Sequence, residues 1–214
     1  ETFAIRRWLV NGTSPEDWGS VANLARNREG VIPQFGIHPW KAEDPPEGWE
    51  ARLKEQLLAF PRAGVGEIGL DRKLTGVEIE IQLPVFVRQL SIAREMKRPC
   101  TLHVVGAWPE LHQAFQEQSP GPFLLHSFGG SPEQAEAFAQ KGAFFSFGGA
   151  VIRHDNSDKL REAIRAVPED RLLLETDAPF QHPGGNDNRQ EPAGLLRVAE
   201  AVANLRGIPV DRLR

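Results

Sequence analysis

The sequence predicts an α/β fold, a TIM (β/α)8 barrel, and three observations carry that expectation. Strand-like apolar runs alternate with helical patterns from end to end, which implies a parallel sheet with helices outside it. The alternation repeats seven times with nothing else between the units; repetition to that number in one domain favours a closed barrel over an open doubly wound sheet. Most of the runs end in a single His, Glu or Asp, and in a parallel barrel the C-terminal strand ends share one mouth, where chemistry is done. An eighth strand is needed for closure. None follows Arg214, and Glu1–Ile5 are too few to supply it. The expectation is therefore one barrel domain over residues 1–214, with its first strand missing and incomplete at both termini.

Each element has a local reason. Arg7–Thr13 reads as a strand. Ser14 is a candidate N-cap, with Pro15 at the first helical position and Asp17 in the first turn, opening a helix to about Asn27. Val31–Pro39 is the next strand, ended by its proline, and a helix follows over about Glu47–Phe60. Ala63–Asp71 is a glycine-rich strand. A long helical pattern covers about Val77–Met96, with Pro84 expected to kink or split it. Strands at Pro99–Val105 and Pro122–Phe128 flank a helix near Pro109–Gln118. Ser131-Pro132-Glu133 repeats the cap-proline-acid start of Ser14, its helix running to about Lys141 with Gly142 as C-cap. Ala143–Gly149 is a strand, Asp158–Val167 a helix, Leu172–Leu174 the core of the last strand, and Pro192–Leu205 the last helix. Along that last strand, alternation puts Glu175 and Asp177 on one face and Thr176 on the other.

Composition excludes several functions. At 40% hydrophobic and 25% charged, the 214-residue chain is ordinary for a globular protein with one sizeable core. No apolar run approaches the roughly 20 residues that span a membrane, and no signal peptide is read, so the cytoplasm is the expected compartment. Cys100 is the single cysteine, which excludes an internal disulfide and a thiolate zinc cluster. A net charge of -4 gives only weak long-range attraction to nucleic acid, so any phosphate has to be held locally, for instance by a metal ion.

The rim residues point to such an ion. Successive strands deliver His38, Glu67, His103, His126 and Asp177, while Gly148 and Gly149 leave room. A lone histidine is more often a hydrogen-bonded structural residue, and a lone carboxylate can cap a helix or pair with an arginine. Buried Glu and Asp are rare, however, unless paired or metal-bound. Two of them with two histidines, at equivalent ends of four strands, are hard to explain by packing. Imidazole and carboxylate oxygen together suit zinc, manganese, iron or magnesium. His112, His154 and His182, on a helix and in polar loops, are expected to face solvent.

Five segments, Gly36-Ile-His-Pro-Trp40, Gly64-Val-Gly-Glu-Ile-Gly-Leu-Asp71, Thr101-Leu-His103, Leu125-His-Ser-Phe-Gly-Gly130 and Leu174-Glu-Thr-Asp-Ala-Pro179, resemble the signature blocks of the TatD family of metal-dependent hydrolases. Gln82, Phe86 and Gln89-Leu90, Ser146-Phe-Gly-Gly149 and Glu191-Pro-Ala193 also fit that family's pattern. The match runs in order through nearly the whole chain. The resemblance implies a (β/α)8 barrel and hydrolysis of phosphodiesters, typically in DNA, by a water activated by one or two divalent ions (Mg, Mn or Zn). It makes Glu67 the carboxylate bridging two metals, and His103 and His126 ligands of one ion. Asp177 becomes a ligand of the other and the base for the attacking water. His38 is given a substrate-binding or ligand-orienting role, and Glu175 an orienting one.

Three departures accompany the resemblance. The family's first strand carries a His-x-His pair, and no His-x-His occurs here. The family's Arg two residues beyond His103 is Val105, which weakens phosphate contact or changes the substrate. The chain ends at Arg214, before the family's last helix. The favoured substrate is DNA as single strands or ends, since nothing resembles a basic recognition helix. The rivals are an amidohydrolase acting on a C–N or lactone bond, which the same barrel would serve, and a non-catalytic metal-binding barrel if the first strand is absent.

Overall fold

The computed structural model describes residues 5–153, 158–180 and 191–213. The described residues fall into two compact units, 1–124 and 125–214. The expectations for His154 and His182 lie outside the described residues, as does most of Glu1–Ile5.

In the first unit four strands pair in parallel and in sequence order: β1 (Trp8–Asn11), β2 (Val31–Phe35), β3 (Gly64–Asp71) and β4 (Cys100–Val105). They alternate with α1 (Trp18–Asn27), α2 (Trp49–Ala59), α3 (Ile79–Glu95) and α4 (Trp108–Glu117). The core under these helices is built from Trp18, Phe35, Leu53, Leu57, Val65, Ile68, Phe86 and Leu90. Each such side chain contributes about 1.5–3 kcal/mol when fully buried.

β3 is buried along all eight residues, and its glycines explain how it can be. A Cβ at Gly69 would lie 1.8 Å from the His103 carbonyl oxygen, and one at Gly66 would lie 2.7 Å from Thr101 Cβ. Only glycine lets β3 and β4 approach this closely. The register between these strands shifts between Val65 and Ile68. At this bulge the Glu67 amide leaves the ladder and donates to the Gly12 carbonyl at 3.0 Å. Bulges re-aim side chains, and here the re-aimed residue is a carboxylate.

α3 runs unbroken through Pro84 rather than splitting there. Pro84 and Glu80, whose carbonyl loses its helical donor, are both exposed, so water can serve that oxygen. α1 begins at Trp18, not at Pro15. The Ser14 hydroxyl does not cap it. Instead the Asp17 carboxylate accepts from the Thr13 amide and hydroxyl at 2.8 and 2.6 Å, holding Ser14–Asp17 as a turn ahead of the helix.

β5 (Phe123–Leu125) spans the division between the units and is shorter than expected. The second unit carries β6 (Ala143–Phe147) and β7 (Leu172–Leu174), which pair in parallel. It also carries α5 (Pro132–Ala139), α6 (Asp158–Ala166) and α7 (Leu195–Arg206). α5 packs on α6, and α6 on α7. Ser131 caps α5 in a capping box with Gln134, as its sequence predicts. Among the described residues no helix is long and apolar enough to cross a membrane.

Candidate metal centre

In the first unit β3, β4 and the segment after β2 bring His38, Glu67, Asp71 and His103 together. His103 Nδ1 lies 3.0 Å from Glu67 Oε1, and its Nε2 lies 3.1 Å from Asp71 Oδ2. His38 Nε2 lies 3.4 Å from the same Glu67 oxygen, and the two imidazole centroids are 4.5 Å apart. The side chains are 3–14% exposed. Desolvation at that depth requires each charge to be matched.

Counting protons shows what the cluster lacks. A neutral imidazole has one N–H and one lone pair. His103 has a carboxylate at each ring nitrogen, so one nitrogen would turn its lone pair on an anionic oxygen about 3 Å away. A second cation, either a proton or a metal ion, is needed between them. The His38 proton is placed by its neighbours. The Trp40 amide donates to Nδ1 at 3.2 Å, which puts the ring proton on Nε2, facing Glu67. His38, Glu67 and His103 offer donor atoms within 4.8 Å of one another, but with that tautomer His38 gives a hydrogen bond, and the pair open to a metal is His103 Nδ1 and Glu67. Two ligands on one tetrahedral ion with bonds of about 2.0–2.2 Å stand about 3.3–3.6 Å apart, so this 3.0 Å hydrogen-bonded pair need open by only a few tenths of an ångström to hold one. The donor set therefore fits a divalent cation.

Asp71 holds the far side of the His103 ring. Burial acts to raise its carboxyl, but hydrogen bonds from His103 and the Lys73 amide hold it below the usual carboxylate range. A carboxylate behind a ligating imidazole fixes its tautomer and orientation. Sequence reasoning assigned no role to Asp71, although Glu67, Gly69 and Asp71 share the parity of one strand face. Two glutamines of α3 fix the backbone under the site. Gln89 accepts from the Ile37 amide at 2.6 Å and donates to its carbonyl at 3.1 Å. Gln82 accepts from the Asp71 amide at 2.7 Å and donates to its carbonyl at 2.9 Å. Both glutamines are fully buried. Each clasps the residue that carries, or immediately precedes, a group of the cluster.

In the second unit His126 lies one residue beyond β5, its Nδ1 3.0 Å from Glu175 Oε2. The Ser146 hydroxyl donates to that same oxygen. Burial acts to raise the Glu175 carboxyl, but His126, Ser146 and the Ser127 amide together hold it below its ordinary value. Its other oxygen, Oε1, is buried without a hydrogen-bond partner among the described residues. Glu175 thus fixes the His126 ring from behind. Neither Glu175 nor Asp177 continues the strand, since β7 ends at Leu174 and Asp177 has φ 55°. The alternation read from the sequence therefore does not govern them. Asp177 is half-buried, and its carbonyl accepts from the Phe180 amide at 2.7 Å. His112 is exposed, as expected.

Comparison with known proteins gives the family. The chain is 30% identical over 211 residues to the 3'-5' ssDNA/RNA exonuclease TatD of Shigella flexneri, covering 93% of this chain and 79% of that protein. It is 32% identical to the uncharacterized metal-dependent hydrolase YabD of Bacillus subtilis, over 98% and 83% of the two chains. A crystal structure of YJJV, a TatD homologue of Escherichia coli K12, superposes with a TM-score of 0.88 at 30% identity, covering 98% of this chain and 82% of that one. That likeness bears out the α/β, TIM-barrel class expected from the sequence. The family model described as TatD related DNase matches residues 3–214, and the chain belongs to that family.

Proposed function

We propose that the protein is a metal-dependent hydrolase of phosphodiester bonds, acting on DNA as single strands or ends with one or two divalent ions, Mg, Mn or Zn. The observation that carries this reading is the His103 ring set between two buried carboxylates, Glu67 and Asp71. That arrangement is one cation short, and a bound divalent cation is one way a hydrolase activates water. The relatives support the chemistry, since one is named a metal-dependent hydrolase and another a single-strand exonuclease.

Glu67 and His103 would hold the ion. When bound, it supplies a water of lowered pKa and a positive charge for a phosphate oxygen. Asp71 keeps the His103 ring aligned. His38, its proton on Nε2, is a hydrogen-bond donor at the edge of the cluster, suited to Glu67 or to a phosphate oxygen. By the family resemblance His126 and Asp177 are further ligands, Asp177 also orienting or deprotonating the attacking water, with Glu175 holding His126. The net charge of -4 is consistent with phosphate being gripped locally rather than drawn in from a distance.

The test is turnover of single-stranded oligonucleotide and of bis(p-nitrophenyl) phosphate with added Mg²⁺, Mn²⁺ or Zn²⁺, for the wild type and Glu67→Ala. Metal-dependent cleavage that Glu67→Ala abolishes is the expected result. Undiminished turnover in Glu67→Ala removes the mechanism, and cleavage of cyclic amides in place of both phosphodiesters would favour an amidohydrolase.

A further inference from the structure

Resting on the reading as a phosphodiesterase, we propose that Trp40 is a base-stacking platform, placing the base of a single-stranded nucleotide beside the candidate metal centre. The roles given above use only the Trp40 amide and leave its indole unassigned. Trp40 is 47% exposed, although it follows ten residues that are buried or half-buried. Exposure alone does not distinguish it, since Leu58 and Phe180 are more exposed; its place against the His38 ring, at the edge of the candidate centre, does. It is also not a loose surface group. It sits in the 3-10 turn Pro39–Lys41, follows the buried Pro39, and its amide is spent on His38 Nδ1. Its ring lies 4.3 Å from the His38 ring, centroid to centroid, at an interplanar angle of 58°.

The chain of contacts then runs from indole to His38 to Glu67 to His103, each step within a few ångströms. A phosphate held through a cation at Glu67 and His103 would bring its attached nucleoside near this indole. Aromatic faces accept any base, which yields affinity without sequence reading. Stacking also requires the base to be out of a duplex, so this surface selects single strands and frayed ends. The acidic net charge, which offers little electrostatic grip on a duplex, leaves such a local contact more to do.

The experiment compares the metal-loaded wild type, Trp40→Phe and Trp40→Ala on two oligothymidylates. One is complete, and the other has abasic residues at the cleaved end. The wild type is expected to prefer the complete strand through a lower KM. Trp40→Ala should raise KM for it by about 5- to 100-fold, the size of one stacked base, so that the preference collapses towards one, while Trp40→Phe keeps part of it. An equal loss on both oligonucleotides, or a preference surviving in Trp40→Ala, overturns the proposal. If no variant cleaves either strand, the phosphodiesterase reading fails, and oligothymidylate quenching of tryptophan fluorescence decides the stacking separately. Quenching present in the wild type and lost in Trp40→Phe supports it, and quenching equal in both overturns it.

Discussion

The two histidine–glutamate pairs of this molecule look alike and differ in proton supply. In each, Nδ1 lies 3.0 Å from a glutamate oxygen, Glu67 for His103 and Glu175 for His126. Glu175 receives a second hydrogen bond from the Ser146 hydroxyl, and its pair needs no further cation. Glu67 shares one oxygen between two imidazoles, while Asp71 occupies the other nitrogen of His103. The first arrangement asks for a cation, and the second orients a ring. Burial is similar, with side-chain exposures of 10% for Glu67 and 14% for Glu175, so depth alone does not mark a metal site. What marks it is the balance of donors and acceptors.

The largest expected effect breaks the proton-poor pair. Glu67→Gln should lower phosphodiester turnover by roughly 10³-fold, with loss of bound metal read by atomic absorption. Equal metal content in the variant would place the ion elsewhere. The next concerns the support beneath that pair. Gln89→Leu leaves the buried Ile37 amide and carbonyl without their bonds, at about 1–3 kcal/mol for each unsatisfied group. The urea midpoint should fall accordingly, and an unshifted midpoint would show that the clasp is idle.

A smaller effect distinguishes orientation from ligation. Asp71→Asn and Glu175→Gln should each weaken metal affinity or activity by about 10–100-fold, less than Glu67→Gln. Parity among all three would erase the distinction between the pairs. The smallest concerns Cys100, buried at the start of β4 with its thiol pushed up to about 12 by desolvation. It should resist alkylation in the folded protein. The folded state keeps the thiol proton when the unfolded chain loses it. Stability should therefore fall as pH rises from the ordinary thiol range towards 12, and a Cys100→Ala variant should lack that component. Rapid alkylation at pH 8 without unfolding would contradict the burial.

Much of this was legible in the residues, and what was not has physical causes. The buried runs of β2, β3 and β4 and the capping box at Ser131 follow from local pattern. Ser14 and Ser131 open with the same Ser-Pro-Glu, yet only Ser131 caps a helix. The difference lies three residues on, where Gln134 reaches back to the Ser131 amide while Asp17 turns to the Thr13 amide and hydroxyl. Glu67 was legible as a buried carboxylate. Asp71 was passed over although it closes β3, because its part comes from the His103 ring it supports, a contact with another strand. The role of His38 rests on the Trp40 amide, a bond between neighbours in a turn that no spacing rule announces. Asp177 lies past the end of β7, where strand parity has lapsed.

The most direct test of the central claim is an anomalous difference map from crystals soaked in Mn²⁺. The account predicts a peak at bonding distance, about 2.0–2.3 Å, from both His103 Nδ1 and a Glu67 oxygen, with His38 Nε2 outside that distance. No peak between His103 and Glu67 at millimolar Mn²⁺, or a peak bonded to His38 Nε2 instead, would contradict it.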